Sequence, residues 1–270
     1  MRASAPVAAL PMYDLPENAA ANDALWRRIA EGLRVRGVEA PTLARDVEPA
    51  ALWRDPGLIF GQTCGYPYVT ALRSAVVLIA TPEYAFPGCN GADHCSFVVC
   101  SIRESRRELA AFRGAVAAVN AWDSNTGMNL FRATIAGVAG GRPFFSDVIL
   151  TGSHAASLEA VADGRAGLAA IDCVTFGLLS HHRPGVVERV AVVAETPSSP
   201  GLPFVMSAGW PEATVAAARE ALFEALADPA LAGARAALGL KGARILADAD
   251  YERVLDFERE AEVAGYPTLA

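Results

Sequence analysis

The residues of this chain best suited to hold an anion lie in one short segment, residues 120–129. The segment reads Asn-Ala-Trp-Asp-Ser-Asn-Thr-Gly-Met-Asn and follows an apolar run over residues 115–119. Ser124, Asn125 and Thr126 are residue types that cap the first turn of a helix. Hydroxyls, backbone N–H groups and the positive end of a helix dipole would meet here, together with Gly127, which suits an oxyanion. An ordinary capped helix is the competing interpretation.

The same order of strand, polar turn and helix recurs along the chain. Residues 58–60 lead into Thr-Cys-Gly, residues 147–150 lead into Thr-Gly-Ser-His, and residues 167–171 end on Asp172. Apolar runs of strand length alternate with segments of helical periodicity. This alternation predicts an α/β fold with largely parallel sheets.

Two changes of pattern predict two lobes. A strand over residues 96–100 precedes a new α/β series, and a strand over residues 187–194 precedes a change to helices. A chain that leaves one lobe and later returns makes two crossings, and these would form a hinge beside a ligand cleft. We place the first lobe at residues 1–98 plus 191–270 and the second lobe at residues 99–190.

Composition excludes several classes of partner. The net charge is −7 and the isoelectric point about 5.2, and no basic stripe interleaves with aromatic residues, so nucleic acid is not expected as a partner. No uncharged apolar run reaches the roughly 18 residues of a membrane span, so direct membrane insertion is not expected. The N-terminal residues have no long apolar segment of a secretory signal. We therefore expect a cytoplasmic protein, or a periplasmic one whose signal has been removed.

The cysteines leave the redox state open. There are five, at positions 64, 89, 95, 100 and 173, so at least one has no intrachain partner. Cys64 and Cys89 both lie in loop-like Gly/Pro contexts and are a possible disulfide in an oxidising compartment. For the other three, buried free thiols are the competing interpretation.

Enzyme and cofactor motifs are missing from the sequence. It has no GxSxG elbow, P-loop, HExxH or GxGxxG pattern. It has no CxxC pair either, and His94 beside Cys95 is too little for zinc. We expect neither a metal nor a cofactor.

Six motifs follow one another along the chain: LPMYD at 10–14, GQTCGYP at 61–67, LAAFRG at 109–114, NAWDSNTG at 120–127, TGSHAASLEAV at 151–161 and AAID at 169–172. Taken in this order, they resemble the phosphate/phosphonate-binding family, the substrate-binding components of ABC importers. The resemblance implies a two-lobe fold of the type II periplasmic-binding-protein kind, with the ligand cleft between the lobes.

The resemblance also implies roles for residues at the matching positions. Ser124, Asn125, Thr126 and Gly127 fall in the family's oxyanion-binding turn, although Asn125 stands where the family has a hydroxyl. The remaining matches are a second polar turn, an acid that can face a ligand amino group, and two aromatic contacts from the first lobe: Ser153 and His154, Asp172, and Tyr13 and Tyr66.

The resemblance implies a solute-binding protein. Closure of its lobes would capture a small phosphate- or phosphonate-like ligand, which can be zwitterionic, for an ABC permease. The alternative is an enzyme on the same fold that acts on a small carboxylate or phosphate metabolite, with Ser153, His154 and Asp172 as candidate catalytic groups. A sensor that uses the closed state as its signal is a third hypothesis.

Overall fold

The computed structural model of the chain describes residues 5–270. Residues 1–4, the start of the segment considered for a signal sequence, lie outside the described residues. The strands are β1 Val7–Ala9, β2 Leu58–Gln62, β3 Val76–Tyr84, β4 Cys89–Asn90, β5 Asp93–His94, β6 Ser96–Ser101, β7 Val116–Val119, β8 Asp147–Leu150, β9 Leu168–Asp172, β10 Val190–Glu195, β11 Ser199–Pro200, β12 Phe204–Ser207 and β13 Leu240–Arg244.

Within residues 5–270, ten α-helices accompany these strands. They are α1 Ala19–Val35, α2 Pro49–Leu52, α3 Gly65–Pro67, α4 Leu130–Ala139, α5 His154–Ala162, α6 Cys173–His182, α7 Pro184–Val187, α8 Glu212–Ala227, α9 Ala232–Leu238 and α10 Glu252–Val263. Among the described residues, the π-helical segment Tyr68–Leu72 follows α3, and the π-helical segment Asn125–Asn129 precedes α4. None of the described helices is both long and apolar enough to cross a lipid bilayer.

The chain forms two compact units. The first contains the described residues up to Ala85 together with Gly201–Asp250, and the second contains Phe86–Pro200 and Tyr251–Ala270. These boundaries differ from those predicted, because β10 pairs with β6 in a single sheet of the second unit. Helix α10 also belongs to the second unit, where the Asn129 amide donates to the carbonyl oxygen of Val254 at 2.8 Å. Hydrophobic periodicity predicts that such elements exist, but it does not predict the sheet or helix that they pack against.

The first unit is built on a five-stranded sheet in the order β1-β2-β12-β3-β13. Strands β1 and β2 are parallel, whereas β12 and β13 run antiparallel to their neighbours. Helix α1 repeats its apolar residues at helical spacing, as predicted, and thereby covers the sheet. The core of this unit includes Leu25, Trp26, Ile29, Leu33, Phe60, Ile79, Phe204, Met206 and Leu222.

The second unit has a mixed five-stranded sheet in the order β10-β6-β9-β7-β8. Its strands β8, β7 and β9 are parallel, and β6 is antiparallel to β9. A small antiparallel sheet of β11, β5 and β4 also belongs to this unit. Every residue of β9 and every residue of β7 except Val116 is buried, which explains their nearly continuous apolar sequences.

Candidate functional site

Three polar turns meet along one edge of the sheet in the second unit. The parallel strands β7 and β8 each end in a polar turn that leads into a helix, and the chain turns at Asp172, the last residue of β9, directly into α6. Because parallel strands bring their carboxyl ends to a common edge, this edge collects the starts of three helices. We call it the helix-start edge. The three turns that the sequence singled out in residues 99–190 therefore lie close together.

The turn after β7 starts its helix with a side-chain cap. The hydroxyl of Ser124 accepts a hydrogen bond from the Gly127 N–H at 2.9 Å, and Ser124 is buried. The first N–H groups of any helix have no partner within that helix, so the cap takes up one of them. The helical segment continues through Asn125–Asn129 and α4 as far as Ala139. The predicted anion site requires the dipole of a helix, and this helix is long enough to supply one.

The Thr126 side chain contacts the next turn. Its Oγ1 lies 3.0 Å from Nε2 of His154, the first residue of α5. The Ser96 hydroxyl donates to the Thr126 carbonyl oxygen at 2.8 Å. Thr126 is therefore held at both its backbone and its side chain, and its hydroxyl lies between two helix starts.

The pKa of the His154 imidazole is lowered from its ordinary value of about 6.5. Burial lowers the pKa of this imidazole, and the nearby Asp172 carboxylate opposes that effect. The other ring nitrogen, Nδ1, lies 3.5 Å from the backbone N of Asp172. In the neutral state the ring still exchanges a hydrogen bond with the Thr126 hydroxyl, and protonation adds a positive charge at this edge.

Glycine is required at position 127 for steric reasons. A Cβ there would lie 1.8 Å from Oδ1 of Asn120 and 3.0 Å from Cε1 of His154. Oδ1 of Asn120 is buried and has no hydrogen-bond partner among the described residues. Gly127 thus lets the Asn120 amide and the His154 ring approach the first turn of the helix closely.

Asp172 caps α6 and is almost fully buried, with 1 % of its surface exposed. Its Oδ1 accepts from the Thr175 N–H at 2.9 Å, and its Oδ2 lies 3.5 Å from Nδ1 of His94. The sequence resemblance implied that Asp172 faces a ligand amino group. Both of its carboxylate oxygens have protein neighbours within the second unit, and its contact with a ligand stays a prediction.

His94 is a candidate site residue that the sequence did not reveal. It is 2 % exposed, and its Nε2 has no hydrogen-bond partner among residues 5–270. It lies on β5, and the next strand begins at Ser96, which pairs with Asp172. Only this pairing, between residues far apart in sequence, brings His94 to Asp172, so no local pattern could have identified it.

Two residues of the predicted site have structural roles. The Asn125 side chain is fully buried, donates to the Ser199 hydroxyl at 2.8 Å and accepts from the Asn129 amide at 3.1 Å. The Ser153 hydroxyl accepts from the Ala156 N–H at 3.1 Å and caps α5. These contacts favour holding the turns over direct contact with a ligand.

The catalytic arrangement considered for the alternative hypothesis is not formed. Ser153 Oγ bonds to a backbone N–H, whereas the His154 ring contacts Thr126 and the backbone of Asp172. A nucleophile and its base must lie within hydrogen-bond reach of each other. The geometry of these three residues therefore gives no support to a Ser-His-Asp triad.

Tyr13 and Tyr66 belong to the first unit. Tyr13 is buried, packs edge-on against Tyr84 with ring centroids 5.4 Å apart, and its carbonyl oxygen accepts from the Asn18 amide at 3.0 Å. Tyr66 is half-buried in α3, and its carbonyl oxygen accepts from the Thr70 hydroxyl at 2.8 Å. Their predicted contact with a ligand stays a prediction.

The predicted Cys64–Cys89 disulfide is not formed. All five cysteines are free thiols, and Cys64 and Cys89 lie in different units. Cys89 Sγ instead lies 3.5 Å from Cys173 Sγ. Similar loop contexts in the sequence do not indicate spatial proximity. Among the described residues, no group of three or more His, Cys, Asp and Glu is arranged to hold a metal ion.

The sequence of this chain matches the model of a known protein family. A family model described as "ABC transporter, phosphonate, periplasmic substrate-binding protein" matches residues 8–251. A comparison with the sequences of curated proteins gave no match.

Several solved structures share the fold. A binding protein component of an ABC phosphonate transporter from Pseudomonas aeruginosa has a TM-score of 0.74 at 13% identity, covering 97% of this chain and 88% of that one. A Prochlorococcus marinus protein in complex with methylphosphonate has a TM-score of 0.74 at 14% identity, with 95% and 98% covered. A Xanthomonas citri protein bound to chloride has a TM-score of 0.71 at 15% identity, with 96% and 98% covered. The predicted α/β fold is confirmed. The prediction of largely parallel sheets is wrong, because β12 and β13 in the first unit and β6 and β10 in the second pair antiparallel with their neighbours.

Proposed function

We propose that this chain, which belongs to the phosphonate substrate-binding proteins of ABC transporters, binds a small phosphonate or phosphate-like oxyanion at the helix-start edge. The resemblance noted in the sequence is thus confirmed at the level of the family. The similar Prochlorococcus marinus protein is in complex with methylphosphonate. That ligand supports the proposal for this chain by analogy.

The observation that carries the proposal is the 3.0 Å contact between Thr126 Oγ1 and His154 Nε2, where two helices start. Helix starts present N–H groups and positive dipole ends, and both favour an anion. With Nδ1 of His154 facing the Asp172 N–H, Nε2–H of the ring donates to Thr126 Oγ1, and the Thr126 hydroxyl proton is left as a donor of fixed position. Hydrogen bonds to a charged oxygen are among the stronger ones in proteins.

A zwitterionic ligand has less support than a simple oxyanion. It required Asp172 to face an amino group, and the Asp172 oxygens have protein neighbours. We therefore propose an oxyanion without a required ammonium group. Binding to an ABC permease and a periplasmic location are further proposals that follow from the family description. Closure of two lobes on the ligand stays a prediction from the sequence.

Isothermal titration calorimetry tests the ligand class. The full chain is titrated with inorganic phosphate, methylphosphonate, an aminoalkylphosphonate and sulfate. We expect methylphosphonate or phosphate to bind, with no gain in affinity from an added amino group. If none of the four binds at millimolar concentration, the oxyanion proposal is wrong.

A matched pair of threonine variants tests the site. Thr126→Ala removes the hydroxyl at the helix-start edge and should weaken binding roughly 10- to 100-fold, the effect of one hydrogen bond to a charged group. Thr134→Ala is the control, because its hydroxyl donates to the Leu130 carbonyl oxygen within α4 at 2.7 Å. Equal affinities in the two variants would show that the oxyanion binds elsewhere.

A further inference from the structure

Three thiols converge in the second unit, beside the helix-start edge. Cys89 lies on β4, Cys95 lies between β5 and β6, and Cys173 is the first residue of α6. Sγ of Cys89 is 3.5 Å from Sγ of Cys173. A Cβ at Gly88 would lie 2.9 Å from Cys95 Sγ and 2.8 Å from Cys173 Cβ, so this glycine allows the three cysteines to approach one another.

The three thiols differ in accessibility. Cys173 is fully buried, Cys95 is 4 % exposed, and Cys89 is half-buried. An oxidant from solvent therefore reaches Cys89 most readily. The Cys173 sulfur lies behind it, where it can displace a group that has been attached to Cys89.

The thiols also differ in acidity. A hydrogen bond from the Cys173 thiol lowers the pKa of Cys95. The contacts with Cys89 and Cys95, and then burial, raise the pKa of Cys173. Cys95 lies beside Cys173, since both contact the position of a Gly88 Cβ, and is therefore the neighbour placed to receive the Cys173 proton.

We propose that Cys89 and Cys173 form a reversible disulfide, with Cys95 as the proton acceptor. In the first step the Cys89 thiolate attacks a small disulfide oxidant, forms a mixed disulfide and releases one thiolate of the oxidant. In the second step the Cys173 sulfur attacks the Cys89 sulfur, and its proton passes by way of Cys95 to the second thiolate of the oxidant, which leaves as a thiol. Overall two protein thiols are oxidised to one disulfide, and the oxidant is reduced to two thiols that take up the two protons.

This disulfide would join two parts of the second unit that carry site residues. Cys89 pairs with His94 across the β4–β5 hairpin, and Cys173 follows Asp172. The covalent bond would therefore hold His94 beside Asp172, whose Oδ2 is 3.5 Å from the His94 ring. It would close a loop between positions 84 residues apart, which removes freedom from the unfolded chain.

Oxidation of the purified full chain tests the proposal directly. The protein is incubated with oxidised glutathione, its remaining thiols are alkylated, and it is cleaved with trypsin and Asp-N. Cleavage at Arg73 and before Asp93 isolates Cys89 on the peptide 74–92, and Cys173 falls on the peptide 172–189. We expect these two peptides to be linked, and the Tm to rise by roughly 5–15 °C on oxidation and return on reduction.

Three serine variants identify the roles of the thiols. Cys89→Ser should abolish both the linked peptide and the rise in Tm. Cys95→Ser should slow the second step, so that a glutathione adduct on Cys89 accumulates in the mass spectrum. Cys100→Ser is the control and should oxidise like the unaltered chain, because the Cys100 thiol donates to the Ser101 carbonyl oxygen outside the cluster. A linkage between Cys95 and Cys173, or five thiols that stay free with oxidised glutathione, would overturn the proposal, and both results are obtained on the unaltered chain.

Discussion

The turn after β2 in the first unit and the turn after β7 in the second differ in how their helices begin. Cys64 precedes α3 without a side-chain cap, and α3 is only three residues long before it passes into a π-helical segment. Ser124 caps its helix, which runs on through α4 to Ala139. A capped and longer helix has the larger dipole and a fixed first turn. Two turns of similar composition thus differ in their suitability for an anion, and the turn after β7 is the better candidate.

Among the substitutions that test this comparison, Gly127→Ala is expected to have the largest effect on stability and binding. The new methyl group would meet Asn120 Oδ1 at 1.8 Å, so either the amide or the first turn must move. We expect the free energy of unfolding to fall by about 1–3 kcal/mol and oxyanion binding to be lost. Urea unfolding and calorimetry measure the two effects.

Gly137→Ala is the matched control for that change. Gly137 lies in α4 with no atom within 4 Å of the added Cβ, so alanine should stabilise the helix by roughly 0.5–1 kcal/mol. If both alanine variants had the same stability, the close approach at Gly127 would not matter.

Ser124→Ala is expected to have the next largest effect. It removes the acceptor for the Gly127 N–H and should cost about 0.5–2 kcal/mol. In the first unit, Thr63→Val is the comparison, since that hydroxyl donates to the neighbouring Cys64 carbonyl oxygen at a longer distance of 3.3 Å. Circular dichroism during thermal unfolding should show a smaller loss for Thr63→Val. A larger loss for Thr63→Val would show that the turn after β2 contributes more to stability than the turn after β7.

Tyr68→Phe separates stability from binding. The Tyr68 hydroxyl donates to Asp248 Oδ1 at 2.6 Å within the first unit, and its loss should cost about 0.5–1.5 kcal/mol. Oxyanion affinity, measured by calorimetry at a temperature where the variant is folded, should stay within about twofold of the original value. An affinity loss comparable with that of Thr126→Ala would place part of the oxyanion site in the first unit.

The smallest expected effect is a dependence on pH. The folded pKa of His154 lies below its unfolded value of about 6.5, so the unfolded chain binds the proton more readily. The stability contributed by neutral His154 is complete above pH 6.5 and is lost as the pH falls through the folded pKa. We expect the Tm to drop by roughly 1–3 °C more between pH 7 and pH 5 than in the His154→Gln variant.

Ligand affinity should change in the opposite direction, because an anion favours the protonated imidazole. Affinity for methylphosphonate should therefore rise as the pH falls. The exposed His181 provides the control variant His181→Gln, which should keep both pH dependences. If the His181→Gln variant lost these two pH dependences, their assignment to His154 would be wrong.

The sequence predicted the local parts of this molecule well. The strand, polar turn and helix order around Ser124, Ser153 and Asp172 depends on capping chemistry and periodicity within about ten residues, and the structure has it. The mixed α/β class follows from the same alternation.

Contacts between residues that are far apart in the sequence were not predicted. His94 reaches Asp172 through the pairing of β6 with β9, and Cys89 reaches Cys173 across 84 positions. The bonds of the Asn125 side chain to Ser199 and Asn129 likewise join distant or helical positions that composition does not distinguish. These contacts decide which polar residues hold the fold and which stay available at the helix-start edge.

The return of the chain to the second unit has a consequence for how the protein is made. Strands β6 to β10 leave the ribosome before the chain enters Gly201–Asp250, and α10 follows only afterwards. Until then the buried Asn129 amide has not met the Val254 carbonyl oxygen, and the surface of α4 that packs against α10 is uncovered. A nascent chain paused in this state exposes apolar surface, so we expect it to be the species that a chaperone would bind.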